Sequence, residues 1–77
     1  MMTEFKILLS DMQAVNKLHD AAEKRDYTIE LHSDNHIVPA NSLVGIFSFD
    51  LTKPIRVVSS KENDLTLKRE LFDYICD

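Results

Sequence analysis

Apolar residues divide this chain into segments of two periods. Phe5, Ile7 and Leu9 alternate with Lys6 in "EFKILL" (4–9), the two-residue repeat of a strand, with Leu8 as the exception. "YTIELHS" (27–33) alternates fully: Tyr27, Ile29 and Leu31 share one side, and Thr28, Glu30 and His32 the other. That pattern fits a half-exposed strand of an antiparallel sheet. "HIVPA" (36–40) reads as a short return strand that Pro39 ends or holds at an edge. "IRVVSS" (55–60) is β-branched and reads as a fourth strand. Val15, Leu18 and Ala22 fall at helical spacing, with Ala14 and Ala21 beside them, so a helix is expected up to about Lys24. A last helix is expected from "KEND" (61–64) onward. It would carry Leu67, Leu71, Phe72 and Ile75 inward and Lys68, Arg69, Glu70 and Asp73 outward.

The segment boundaries carry their own signals. "SDMQ" (10–13) fits a capping box with Ser10 at the cap and Gln13 three residues on. "SDN" (33–35) is expected to turn, because Asp and Asn tolerate left-handed backbone. "ANSLVGIFSF" (40–49) is ambiguous: it holds the only glycine, Gly45, among five large apolar residues, and is either a strand or a short helix capped by Asn41 or Ser42. The flanking strands favour the helix. Strand, helix, strand, strand, short helix, strand, helix is an α+β order, with a four-stranded antiparallel sheet covered on one face.

Composition narrows the classes. The 77 residues are expected to form one domain over 1–77. The apolar fraction of 44% suffices for a core without disulfide or metal, and Cys76 has no second cysteine to pair with. A net charge of −4 with scattered basic residues argues against a nucleic-acid partner. No apolar run approaches the roughly 20 residues of a membrane span, and no cleavable leader is visible. A cytoplasmic location is expected.

Chemistry-bearing residues are sparse. His32 and His36 flank the 33–35 turn with Asp34 nearby, which is too little for a metal site without a third firm ligand. His19 reads as a boundary residue of the first helix. Glu62, Asp64, Glu70 and Asp73 read as solvated faces and helix-dipole complements. Neither a carboxylate pair, nor a glycine-rich loop, nor a Cys–His pair imposes a catalytic assignment. No enzyme, cofactor or metal is expected.

"NSLVGIFSFDLTKPIRVV" (41–58) resembles the HPr family, the small phosphocarriers of the bacterial phosphotransferase system. Ser42, Leu43, Gly45, Ile46, Phe47, Ser48 and Phe49 fit the family pattern, and Asn41 replaces its usual Lys. The pattern can be laid without gaps from Ala22 to the C-terminus. The resemblance implies an HPr-like open-faced sandwich, β-α-β-β-α-β-α, with three helices on one face of the sheet. It also implies a phosphorylated His between the first strand and first helix, but "LLSDMQAV" (8–15) has no His, Gly, Arg or Pro there. In this the chain resembles the His-lacking catabolite-repression paralogue of HPr, which keeps a regulatory Ser. Only Ser42 carries over to that role, beside its plain reading as a helix cap.

The implied function is an interaction or regulatory module of sugar uptake. Its implied partner is a phosphotransferase-system component, a serine kinase or a transcriptional regulator, and its own state a monomer or weak homodimer. The expected docking surface is Ala14, Val15, Lys17, Ser42, Val44 and Phe47, with Val44 and Phe47 exposed. Two alternatives remain: a true phosphocarrier using an atypical residue such as Asp11, and an unrelated small homo-oligomeric interaction protein.

Overall fold

The computed structural model describes residues 2–76. Strand β1 (Thr3–Ile7) buries Thr3, Phe5 and Ile7 and exposes Glu4 and Lys6, as its alternation dictates. Helix α1 (Met12–Glu23) buries Ala14, Val15, Leu18, Ala21 and Ala22. Three alanines on that stripe let the helix axis lie close to the sheet. The cap is Asp11, not Ser10: Asp11 has extended backbone, and its Oδ1 accepts the Ala14 N–H at 2.9 Å. Gln13 is thereby one residue too early to close a capping box.

Strand β2 (Ile29–Ser33) and strand β3 (His36–Pro39) form a hairpin with Ser33 opposite His36. Asp34 (φ 48°) and Asn35 (φ 68°) supply the two left-handed residues of its tip. Helix α2 (Leu43–Phe47) follows, then strand β4 (Ile55–Ser59) and helix α3 (Leu65–Glu70). The four strands are antiparallel in the order β1-β4-β2-β3. β3 is an edge, so the missing N–H of Pro39 costs no ladder bond. Helices and inward-facing strand residues share one core that includes Phe5, Leu31 and Val57 with Leu18, Ile46 and Leu67. Each fully buried Leu or Ile in it is worth about 1.5–3 kcal/mol.

The last helix is shorter than its apolar spacing suggests. α3 ends at Glu70, a 3-10 turn covers Phe72–Tyr74, and Ile75 is extended. Ile75 bridges Ile7, while the Leu8 N–H donates to the Tyr74 carbonyl at 2.9 Å and the Cys76 N–H to the Lys6 carbonyl at 3.1 Å. The chain thus exchanges a further helical turn for hydrogen bonds to the otherwise open edge of β1. Leu71 stays fully buried, but Phe72 turns to solvent at 72% exposure instead of facing the core.

Candidate functional site

Two faces of the molecule carry unexplained chemistry: the helical face around α2, and a polar cluster at one end of the sheet.

α2 begins with Ser42, whose Oγ accepts the Gly45 N–H at 3.0 Å. That resolves the choice between Asn41 and Ser42 as cap. Only Ile46 of this helix is buried; Leu43, Val44 and Phe47 are exposed. Gly45 lies where the helix meets the sheet. A Cβ there would come within 3.0 Å of Val38 Cβ and 3.2 Å of Ser42 Oγ. Val38 is anchored in β3 and cannot retreat, so α2 itself would have to lift. Gly45→Ala is therefore expected to destabilise by about 1 kcal/mol despite alanine's better helix propensity. Urea denaturation checks the sign.

The segment carrying α2 is laid against α1 at both ends. Pro39 and Asn41 border a recess of about 320 Å³ with Ala22 and Arg25 at the C-terminal end of α1. Leu51 and Thr52 border a groove of about 410 Å³ with Leu8, Leu9, Asp11, Met12 and Val15 at its N-terminal end. α2 therefore runs beside α1 in the opposite direction. The expected surface residues divide accordingly. Val44 (84% exposed) and Phe47 (50%) are open, Lys17 is exposed on α1, and Ser42 is half-buried. Ala14 and Val15 are corrected: at 0% and 1% exposure they lie beneath the face and cannot present side chains to a partner. Met12, at the first turn of α1, and Leu43 are exposed. Placing the cap at Ser10 hid Met12, because the one-residue shift moves it from the second to the first helical position.

The histidines do not converge. His32 bonds Glu30 Oε1 at 3.0 Å on the outer side of the sheet. His36 lies on the helix side, its Nε2 2.7 Å from Ser48 Oγ and its ring edge-on to Phe49 at 4.9 Å. The Ser48 hydroxyl donates to the Gly45 carbonyl at 2.5 Å, so His36 Nε2 carries the proton and donates. This orientation is opposite to that of a serine activated by a base. Among the described residues no group of three His, Cys, Asp or Glu could hold a metal. Asp50 sits on the loop after α2, its carboxyl lowered by hydrogen bonds from the Thr52 hydroxyl and amide.

The polar cluster was not foreseen. Asp64, expected on a solvated face, is 1% exposed. It caps α3 through the Leu67 N–H and accepts from Tyr27 Oη at 2.6 Å and Ser59 Oγ at 2.8 Å. Arg25 Nε donates to the same Tyr27 oxygen at 3.0 Å, and its guanidinium meets Glu70 at 3.0 Å. Lys24 Nζ approaches Glu70 at 2.9 Å. Burial alone pushes the Asp64 carboxyl up. The hydrogen bonds from Tyr27, Ser59 and Leu67, with the Arg25 charge, outweigh it and hold the group below the usual carboxylate range. Glu70 is likewise lowered: burial opposes, and Arg25 and Lys24 prevail. The cluster ties the segment between α1 and β2, which carries Arg25 and Tyr27, to the end of β4 at Ser59 and to both ends of α3 at Asp64 and Glu70.

Among known structures, the arrangement matches a phosphocarrier protein HPr from Bacillus anthracis str. Ames with a TM-score of 0.73. The alignment covers 97% of this chain and 98% of that one at 17% identity. The chain has the HPr fold. HPr-C-His from Thermoanaerobacter tengcongensis also matches, with a TM-score of 0.69, 20% identity, and coverage of 95% and 88%. No family model and no curated protein sequence matches the chain. At 17% and 20% identity the likeness is one of fold. No helix among the described residues is long and apolar enough to cross a membrane.

Proposed function

We propose that this chain is a non-enzymatic HPr-like interaction module, one domain over 1–77. It acts in the cytoplasm on the regulatory side of a bacterial phosphoenolpyruvate-dependent sugar phosphotransferase system. Its partner is a component, serine kinase or transcriptional regulator of that system, docked by Lys17, Ser42, Val44 and Phe47 together with Met12 and Leu43.

The observation that carries this reading is the cap of α1. HPr chemistry, as the resemblance implies it, needs an imidazole nucleophile between β1 and α1 and free amides to hold the phosphate. Residues 8–15 contain no His, and the Asp11 carboxylate already accepts the Ala14 amide. An incoming phosphoryl group meets an anion there instead of a donor. Val44, Phe47, Leu43 and Met12 expose large apolar side chains in the absence of that chemistry, which supports docking as their use.

Ser42 is the control point in this reading. A kinase of the family would transfer the γ-phosphoryl of ATP to Ser42 Oγ, with ADP and a proton leaving. The phosphate oxygens can then accept the amide that Oγ accepts now. Two incubations test the proposal. With phosphoenolpyruvate and the first enzyme of the phosphotransferase system, no acid-labile phosphate is expected on the chain; its appearance overturns the reading in favour of a phosphocarrier. With the family's serine kinase and ATP, acid-stable label is expected and should vanish in Ser42→Ala.

A further inference from the structure

Among the described residues no helix covers the outer face of the sheet, and its charges are sorted by row. The register places Glu4, Val58, Glu30 and Pro39 side by side across β1, β4, β2 and β3. The next outward row is Lys6, Arg56, His32 and Ile37. One row is therefore acidic and its neighbour basic. Within a single chain the rows meet favourably only at β2, where His32 bonds Glu30, whereas Lys6 stands directly opposite Arg56 on the paired strand, where like charges destabilise. Glu4, Lys6 and Arg56 make no ion pair among the described residues.

We infer that this face binds a second copy of the chain, sheet against sheet, about a two-fold axis running between the two rows and across the strands. That axis exchanges the rows while keeping each strand over its own counterpart. Lys6 of each copy then faces Glu4 of the other, and His32 faces Glu30. Arg56 lies over Val58, which its own chain already buries, and exposed Ile37 meets Pro39. Lys6 and Glu4 form charge pairs and Ile37 and Pro39 an apolar pair, so the Lys6–Arg56 mismatch inside one chain is relieved between two. The face carries two carboxylates and two fixed cations, so it is close to neutral although the whole chain has a net charge of −4. The overall charge therefore opposes the pair less at this face than elsewhere.

The association is weak by construction. Four strands about 4.8 Å apart, each showing about 17 Å of length, cover about 600–700 Å² over both copies, below the about 1,200 Å² of lasting interfaces. Surface ion pairs add little each and are screened by salt. The pairing leaves α1 and α2 free, so it is independent of the docking reading above and of its failure.

Charge exchange on the unmodified full chain tests it. Sedimentation equilibrium at ~1 mM protein is expected to show a dimer fraction at ~20 mM salt that falls several-fold at ~500 mM. Lys6→Glu and Glu4→Lys each turn two attractive contacts into repulsive ones, and each alone should associate at least about tenfold more weakly. An equimolar mixture of the two should associate at least as tightly as the unmodified chain, because every 4–6 contact is again of opposite sign. Both positions are exposed, and unchanged circular dichroism verifies folding. A monomer under all conditions overturns the inference. So does a mixture that associates no better than either variant alone, since a dimer through another surface would ignore the pairing of signs.

Discussion

Asp64→Ala is expected to cost about 3–5 kcal/mol, lowering the melting temperature by about 15–25 °C for a domain of this size. The carboxylate is fully buried and takes three hydrogen bonds, from Tyr27, Ser59 and Leu67. Its removal strands two hydroxyls and one helix-terminal amide, and leaves the Arg25 guanidinium beside an oxygen that has lost its acceptor. Asp64→Asn keeps an acceptor oxygen but loses the charge, and should cost less. Thermal unfolding followed by circular dichroism measures both. A loss under about 1 kcal/mol for Asp64→Ala would mean that the cluster is not what joins α3 to the sheet.

The same groups set the acid limit. Asp64 and Glu70 both have folded-state values lowered below their unfolded ones. The unfolded chain therefore binds protons first as pH falls. The stability these groups supply is complete above their unfolded values of about 4 and is lost as pH falls through the lower folded values. Unfolding free energy is expected to be flat from about pH 7 to 5 and to drop below about pH 4. Asp64→Ala should flatten much of that drop. A variant that keeps the full acid dependence would assign it to other carboxylates.

Which parts of this structure were legible from sequence follows from the range of the forces involved. β1 and β2 announced themselves because alternation is a local signal repeated several times over, and register only had to agree with it. Asp34 and Asn35 announced the hairpin tip for the same reason. α2 was legible through its cap residues and its flanking strands, whereas the close approach of Gly45 to Val38 of β3 was not. The end of α3 was not legible. Leu67, Leu71 and Ile75 keep helical spacing, yet the edge of β1, almost seventy residues away in sequence, offers Ile75 a better use of its backbone. Asp64 failed likewise: "KEND" is polar and looks solvated, while Tyr27, Ser59 and Thr3, which bury and satisfy it, come from three other strands or strand ends. Ala14 and Val15 were placed on the docking surface by what the HPr resemblance implies, although their helical spacing with Leu18 and Ala22 already put them on the stripe that α1 turns onto the sheet. Polar satisfaction and edge pairing are tertiary facts; periodicity and caps are not.

Val44→Asp combined with Phe47→Asp is expected to weaken partner binding at least about hundredfold while leaving the fold intact. Both side chains are open to water in the free protein, so a carboxylate costs little there, and the melting temperature should shift by no more than a few degrees. Ile46, between them, is the residue that holds α2 to the core, and it is untouched. In a docked complex the two carboxylates would be desolvated against an apolar surface without a counter-charge, and that penalty is large. The measurement is titration calorimetry of the unmodified and doubly substituted chains with the serine kinase and with the first enzyme of the phosphotransferase system. Loss of binding with retained stability assigns the α2 face to recognition. Retained binding moves the docking surface elsewhere and removes Val44 and Phe47 from it. A large loss of stability would instead show that the two residues serve the core, which their exposure argues against.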